Sequence, residues 1–439
     1  MSFFGTDGIR GRAGEGKLSD ANITRMARAI GAHVGPGGSV VIGRDTRVSG
    51  PHIQSLLETG IAGQGVSIIR LGVLPTPATA LLTERHGADL GIMITASHNP
   101  WHDNGVKIFN ADGRKLSDQA QTSLETLIQS DIEPSGKRGD MKDDPGASQR
   151  YVDHLMESAG HADLSGLRIV TDGANGAGHA LLPDLLRTLG ADVIAIGSLG
   201  DGNAINRNCG STKPETCRQA VLDNGADVGF ALDGDADRIL AIDDQGRDID
   251  GDQIIARLAL DACAEGTLKG DAIVSTVMAN IALEGWADTN GLRLERTAVG
   301  DRHVAARMKE IGANIGGEPS GHILLTDLAK TGDGCLTALR LAVSLARSGE
   351  RSADWLQMFK PAPQVLRNVR YAGRSPLDKA PVTVAIETQQ SRLAGSGRVL
   401  VRASGTEPVI RVMAEGDDLA TVTDAVDKIS AVIADTAQS

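Results

Sequence analysis

The strongest constraint on this chain is a short sequence used three times. Gly87-Ala-Asp-Leu90 opens an apolar run that ends at Ser97. Gly225-Ala-Asp-Val228 opens another, Gly229-Phe-Ala-Leu-Asp233-Gly-Asp235-Ala-Asp237-Arg238. Gly312-Ala-Asn-Ile315 leads into Gly317-Glu318-Pro319-Ser320-Gly321-His322. Aligned on the first glycine, Ser97, Asp235 and His322 fall at the same offset. One structural unit is therefore expected three times over, with different chemistry on each loop.

The surrounding sequence has the same rhythm. Strand-like runs at 39–46, 65–72, 167–172, 191–196, 271–278 and 292–297 alternate with helical stretches, which predicts an α/β architecture. Ligands in such folds bind outside strand ends, so three repeats would bring three loops to one cleft. The C-terminus differs. Runs at 365–370, 398–402 and 409–414, the last two joined by Ala403-Ser404-Gly405-Thr406-Glu407-Pro408, predict a hairpin in a small α+β domain. The expected domains are 1–160, 161–250, 251–365 and 366–439, with the polar segment 131–146 a loop near the end of the first.

A chain of 439 residues is too long for one core, and about two to four domains are expected. No apolar run approaches the roughly 20 residues of a membrane span. The first ten residues lack a basic segment followed by an apolar one, so no signal peptide is expected. Cys209, Cys217, Cys263 and Cys335 form no Cys-x-x-Cys, and a reduced, cytoplasmic protein is the expectation. The net charge of −12 argues against a nucleic-acid partner. It would also repel a phosphate ester, so a phosphate-binding site here needs strong local cations.

Several residues carry possible chemistry. Ser97-His98-Asn99-Pro100 is either a plain turn or a nucleophile loop. It has no Gly-x-Ser-x-Gly elbow, which disfavours a Ser-His-Asp hydrolase. Asp233, Asp235 and Asp237 alternate, so on an extended stretch they would share one face and one hard cation such as Mg²⁺. The rival readings are a solvated acidic turn and an EF-hand, with Asp244 at its twelfth position; Arg238 at the sixth, in place of glycine, argues against the EF-hand. Glu318, Ser320 and His322 suit sugar hydroxyls. Arg402, Ser404, Gly405, Thr406 and Arg411 suit a phosphate dianion, and Arg10 is a further candidate cation. Gly173-Ala-Asn-Gly176-Ala-Gly178 has the wrong spacing for a dinucleotide loop.

Together these segments resemble the α-D-phosphohexomutase family. Thr95-Ala-Ser97-His-Asn-Pro100, Asp233-Gly-Asp235-Ala-Asp237-Arg238, Gly317-Glu-Pro-Ser-Gly-His322 and Arg402-Ala-Ser404-Gly-Thr406 match its four loops in order, across essentially the whole chain. Phe4-Gly-Thr-Asp-Gly-Ile-Arg10-Gly11, Gly43-Arg-Asp-Thr-Arg47, Val299-Gly-Asp-Arg302 and Asn104-Gly-Val-Lys107-Ile-Phe-Asn-Ala-Asp-Gly113 resemble the branch that isomerises glucosamine 6-phosphate to glucosamine 1-phosphate. Trp101 and Pro319 depart from that pattern, where tyrosine and glutamine are expected.

The resemblance implies three α/β domains with mixed sheets and a smaller mobile domain around a central cleft. It implies that Ser97 is a phosphoserine and that Mg²⁺ sits on Ser97, Asp233, Asp235 and Asp237. A glucosamine or glucose 1,6-bisphosphate would be the intermediate or activator. Ser97, Arg10, Lys107 and His322 are the expected catalytic residues, with the general acid/base open between Lys107 (if a nearby cation tunes it) and His322. Arg238, Glu318, Ser320, Arg402, Ser404, Gly405, Thr406 and Arg411 would bind the substrate. The expected partner is a small phosphosugar, with no nucleic acid or membrane; a homodimer is one expectation for the assembly. The implied product feeds UDP-N-acetylglucosamine. A phosphomannomutase/phosphoglucomutase and a non-catalytic sugar-phosphate-binding protein are the alternatives.

Overall fold

A computed structural model describes all residues except 1, 2, 6, 7, 131, 405–407 and 439. The chain divides into two compact units, residues 1–278 with 295–358 and residues 279–294 with 359–439.

The internal repeat is real in three dimensions. One sheet has six strands in the order Ile9–Arg12, Asp103–Asn110, Leu90–Ile94, Ser39–Arg44, Ser67–Val73, Met141–Asp143. A second has five, in the order Asp248–Ile249, Ile239–Asp243, Val228–Leu232, Arg168–Asp172, Asp192–Ile196. A third has four, in the order Arg293–Thr297, Ala272–Thr276, Ile315–Gly317, Ile323–Leu325. Within each, the repeat's third strand runs parallel to its first and antiparallel to its fourth. The sheets are therefore mixed. Each functional loop joins the third strand to the fourth.

The recurring Gly-Ala-Asx sequence has a physical cause at every position. Gly87, Gly225 and Gly312 lie at helix C-terminal ends with φ of +61°, +54° and +72°, where a Cβ is strained. Ala88, Ala226 and Ala313 are buried. The third side chain ties the third strand to the first residue of the repeat's first strand or, in the third repeat, to the segment just before it. Asp89 accepts from the Ser39 N–H at 2.8 Å, Asp227 from the Arg168 N–H at 2.7 Å, and Asn314 from the Lys269 N–H at 2.9 Å.

The third strands of the first two repeats, Leu90–Ile94 and Val228–Leu232, are buried at every residue. Covered on both faces, they read as continuous apolar runs rather than alternating ones. Gly91, Gly229 and Gly316 let the preceding helix pack close. A Cβ there would stand 2.0 Å from Thr83 Oγ1, 2.6 Å from Val221 Cγ2 and 2.8 Å from Met308 Sδ respectively.

The smaller unit holds a three-stranded antiparallel sheet in the order Gln364–Arg370, Val409–Gly416, Gly397–Ala403. The helices Ala380–Leu393 and Leu419–Gln438 share its core of Val382, Leu393, Ile410, Val412, Val426 and Ile429. The expected hairpin and α+β character are present. Several strands escaped the sequence reading: Ile9–Arg12, Asp103–Asn110, Ile239–Asp243 and Ile323–Leu325 were not anticipated, and Met141–Asp143, inside the segment taken as loop, pairs in parallel with the strand Ser67–Val73. Among the described residues no helix is long and apolar enough to cross a membrane.

Candidate active site

The strand Leu90–Ile94 delivers the chain into a turn where Ser97 takes φ +53°, a left-handed conformation rare outside glycine. Ser97 is fully buried. Its Oγ donates to Asp233 Oδ2 at 2.6 Å and lies 3.3 Å from His98 Nδ1.

The three aspartates do converge, but not as their spacing implied. Residues 233–238 form a turn, with Ala236 at φ +57°, rather than an extended stretch. The three carboxylates each offer an oxygen within 4.8 Å of the others, and all are buried. The EF-hand reading fails on the same geometry. The loop is flanked by the antiparallel strands Val228–Leu232 and Ile239–Asp243, and Asp244 is engaged by Arg351 and the Ala353 N–H.

These donors fit a divalent ion. Asp235 Oδ1 is buried with no hydrogen-bond partner among the described residues. All three groups are hard oxygens of the kind Mg²⁺ takes. Asp235 Oδ2 accepts from Thr76 Oγ1, a contact that the spacing did not reveal. Lys107 Nζ donates at 2.7 Å to Asp235 Oδ2 and at 2.7 Å to Asp237 Oδ2. Lys107 is thus set between two carboxylates.

Charges around the turn perturb one another strongly. Burial, then the charges of Asp235 and Asp237, push the Asp233 carboxyl up to about 8. Burial, then the guanidiniums of Arg238 and Arg10, push His98 down to about 4. Arg238 Nη1 lies 3.2 Å from His98 Nδ1. Arg10 sits on the strand Ile9–Arg12, paired with Gly105. The local cations that an acidic protein needs for a phosphate ester are therefore beside Ser97.

The third loop reaches the same cluster. His322 Nδ1 lies 3.5 Å from Asp237 Oδ1, and its Nε2 lies 3.1 Å from Asp301 Oδ2. Burial alone would lower the imidazole, but Asp237 and Asp301 outweigh it and raise it to about 10. Lys115 Nζ closes the chain of charges at 2.6 Å from Asp301. Glu318 is buried and accepts from the Gly300 N–H at 3.0 Å, whereas Ser320 is exposed. Direct contacts thus link Ser97, the three aspartates, Lys107, Arg238 and His322. His98, Asp301, Lys115 and Thr76 join them without having been singled out for a role. Asp301 was within reach of sequence reasoning, since it lies in Val299-Gly-Asp-Arg302.

In the smaller unit, Arg402 and Arg411 are direct cross-strand partners, and the Ser404 N–H donates to the Val409 carbonyl at 2.7 Å. Gly405 and Thr406 lie outside the described residues.

Comparison with known proteins covers nearly the whole chain. Phosphoglucomutase/phosphomannomutase alpha/beta/alpha domains I, II and III match residues 1–135, 149–246 and 250–362, and the C-terminal domain matches 366–432. The phosphoglucosamine mutase of Paracoccus denitrificans (strain Pd 1222) is 47% identical over 438 residues, 98% of each chain. A crystal structure of a phosphoglucomutase/phosphomannomutase family protein from Burkholderia thailandensis is 25% identical with a TM-score of 0.81, covering 98% of this chain and 97% of that one. Aspergillus fumigatus N-acetylphosphoglucosamine mutase in complex with GlcNAc-6P and magnesium is 20% identical with a TM-score of 0.71, covering 100% and 96%. With four domain matches in order and a full-length relative at this identity, the chain belongs to the phosphoglucomutase/phosphomannomutase family, the α-D-phosphohexomutases.

Proposed function

We propose that this enzyme interconverts glucosamine 6-phosphate and glucosamine 1-phosphate through a phosphoserine at Ser97. The carrying observation is the buried Ser97 hydroxyl, bonded to one of three clustered carboxylates with Arg238 and Arg10 close by. The choice of sugar is supported by curated phosphoglucosamine mutases 45–47% identical over 97–99% of this chain.

In the first half-reaction the phosphoryl group of phospho-Ser97 passes to O1 of glucosamine 6-phosphate. The P–Oγ bond breaks and the P–O1 bond forms. The O1 proton goes to a base, and Ser97 Oγ is reprotonated as it leaves. The 1,6-bisphosphate then reverses its orientation. Ser97 Oγ gives up its proton and takes the 6-phosphoryl group: the P–O6 bond breaks, the P–Oγ bond forms, O6 takes up a proton, and glucosamine 1-phosphate is released from the regenerated phospho-enzyme.

Asp233, Asp235 and Asp237, with the seryl oxygen, would hold Mg²⁺, which supplies charge neutralisation for the transferring phosphoryl group. Arg238 and Arg10 offset phosphate charge from the protein side. Lys107 and His322 are the candidates for moving the proton. His322, held charged by two aspartates, and Lys107, an ammonium between two carboxylates, are each suited to donate a proton near neutral pH, and either accepts one only after giving its own up. Glu318 and Ser320 would hold sugar hydroxyls in both orientations, and Arg402, Ser404, Gly405, Thr406 and Arg411 would grip the non-reacting phosphate. The same reading divides the chain into domains 1–160, 161–250, 251–365 and 366–439. It places the enzyme in the cytoplasm, supplying UDP-N-acetylglucosamine synthesis.

The test is kcat/KM for the 6-phosphates of glucosamine, glucose and mannose, with equal Mg²⁺ and glucose 1,6-bisphosphate. Glucosamine 6-phosphate should lead, with glucose 6-phosphate a slower side substrate. The amino and hydroxyl groups are similar in size and both hydrogen-bond, so discrimination should be modest. A clear lead for glucose or mannose would overturn the choice of sugar and leave the phosphoserine chemistry standing.

A further inference from the structure

The segment Gly43-Arg-Asp-Thr-Arg47 is assigned no role in the chemistry above, yet its last residue is the largest fully buried side chain among the described residues. All five N–H donors of the Arg47 guanidinium are used. Nε donates to Asp45 Oδ2 at 2.9 Å. Nη1 donates to the carbonyls of Pro100 and Asp103, at 2.5 and 2.9 Å. Nη2 donates to the carbonyls of Ser97 and Asn99, at 2.9 and 2.8 Å. Three of the five bonds thus end on backbone oxygens of the loop that carries the nucleophile, and a fourth on Asp103, where the next strand begins. An arginine fork spends itself this way only if the shape of that backbone matters, because a surface loop would satisfy its carbonyls with water.

A second donor repeats the pattern from the other repeat. Asn206 Nδ2 donates to the same two carbonyls, Ser97 at 2.8 Å and Asn99 at 3.0 Å. The other end of the Ser97 residue is fixed too. Its N–H donates to Thr95 Oγ1 at 2.9 Å, and Thr95 Oγ1 donates to Asp45 Oδ2 at 2.7 Å, the oxygen that also holds Arg47. Ser97 is held this way in a left-handed conformation that a serine does not favour. Neither Arg47 nor Asn206 touches the carboxylate cluster in any of these bonds.

We infer that Arg47 and Asn206 are positioning residues for phosphoryl transfer: they clamp the Ser97 carbonyl from both sides and so aim Oγ at Asp233. The inference rests on Ser97 being the phosphoryl carrier. It concerns kcat, because a misaimed nucleophile slows transfer without weakening the grip on the sugar phosphate. Displacement by about 1 Å is enough to cost about 100-fold in rate.

The experiment uses the full chain with Mg²⁺ and glucose 1,6-bisphosphate, comparing wild type, Asn206→Gly, Arg47→Lys and Ser97→Ala. Glycine keeps the left-handed backbone of residue 206 and deletes the small side chain with its amide. Lysine keeps the charge that balances Asp45 but loses most of the fork. Asn206→Gly should lower kcat about 10-fold and Arg47→Lys about 100-fold, each with KM within about 3-fold of wild type. Asn206→Gly should melt within a few degrees of wild type, which separates aiming from folding. If Asn206→Gly folds and retains wild-type kcat, the clamp is overturned whether or not Arg47→Lys folds. If Ser97→Ala retains most activity, the phosphoserine reading itself falls.

Discussion

Replacing Lys107 with methionine tests how the carboxylate cluster is kept in a folded protein. Methionine is close to lysine in length and flexibility, so the change removes mainly the ammonium. That ammonium lies 2.7 Å from each of two buried carboxylates and is itself buried. Removing one partner from a buried ion pair costs about 3–5 kcal/mol, because the other charge is left uncompensated. Here Asp233 is already pushed up to about 8, so one of the three carboxyls is largely protonated at neutral pH and relieves part of the repulsion. The low end, about 3 kcal/mol, is therefore expected. For a unit of this size, 1 kcal/mol moves the melting temperature by about 2 °C, so the transition should fall by about 6 °C in EDTA. Mg²⁺ at 100 times its dissociation constant adds about 2.7 kcal/mol by mass action and supplies the missing positive charge. The variant, lacking the ammonium that competes with the ion for Asp235 and Asp237, should bind Mg²⁺ more tightly and gain more from it than wild type, so the gap should narrow in Mg²⁺. Calorimetry with and without Mg²⁺ measures both terms. Turnover should still fall at least about 100-fold, because an ion cannot move the proton. Equal melting temperatures in EDTA, or a gap that Mg²⁺ leaves unchanged, would refute this account of the cluster.

Two further outcomes are expected. Asp333 is buried against Tyr151 and pushed from 3.8 to about 6, so the native state binds the extra proton between those values and stability falls as pH rises through that window. Asp333→Asn should flatten the slope of melting temperature against pH between about 4 and 6 relative to wild type, and an unchanged slope would be inconsistent with the carboxyl's burial. Arg402→Ala should raise KM, lower kcat/KM and increase release of free 1,6-bisphosphate, measured by its accumulation during turnover; unchanged kinetics and leakage would remove the C-terminal loop from phosphate binding.

The repeated α/β units were legible because their signals are local. A left-handed glycine, a small buried alanine and an Asx that caps a strand start must sit in consecutive positions, and so they show up as a repeated word. The loop after each third strand could be placed for the same reason. Local geometry within the loops was less legible. The alternation of Asp233, Asp235 and Asp237 suggested one face of an extended stretch, but the left-handed Ala236 makes a turn, and alanine gives no warning of that. Interactions across long separations left no pattern at all. Arg47 meets the serine loop about 50 positions along the chain and Asn206 more than 100, and both donate to carbonyls, which every residue has. His98, Lys115 and Asp301 are likewise defined by what folding places beside them.

The central claim is that Ser97 carries the phosphoryl group, and phosphorylation at that residue measures it most directly. Purified protein treated with glucose 1,6-bisphosphate and Mg²⁺ should gain the mass of one phosphoryl group, about 80 Da, mapped by peptide fragmentation to Ser97. That group should be lost on addition of excess glucosamine 6-phosphate, and Ser97→Ala should neither gain it nor turn over substrate. A phosphoryl group mapped elsewhere, or Ser97→Ala with most of the wild-type turnover, would contradict the account.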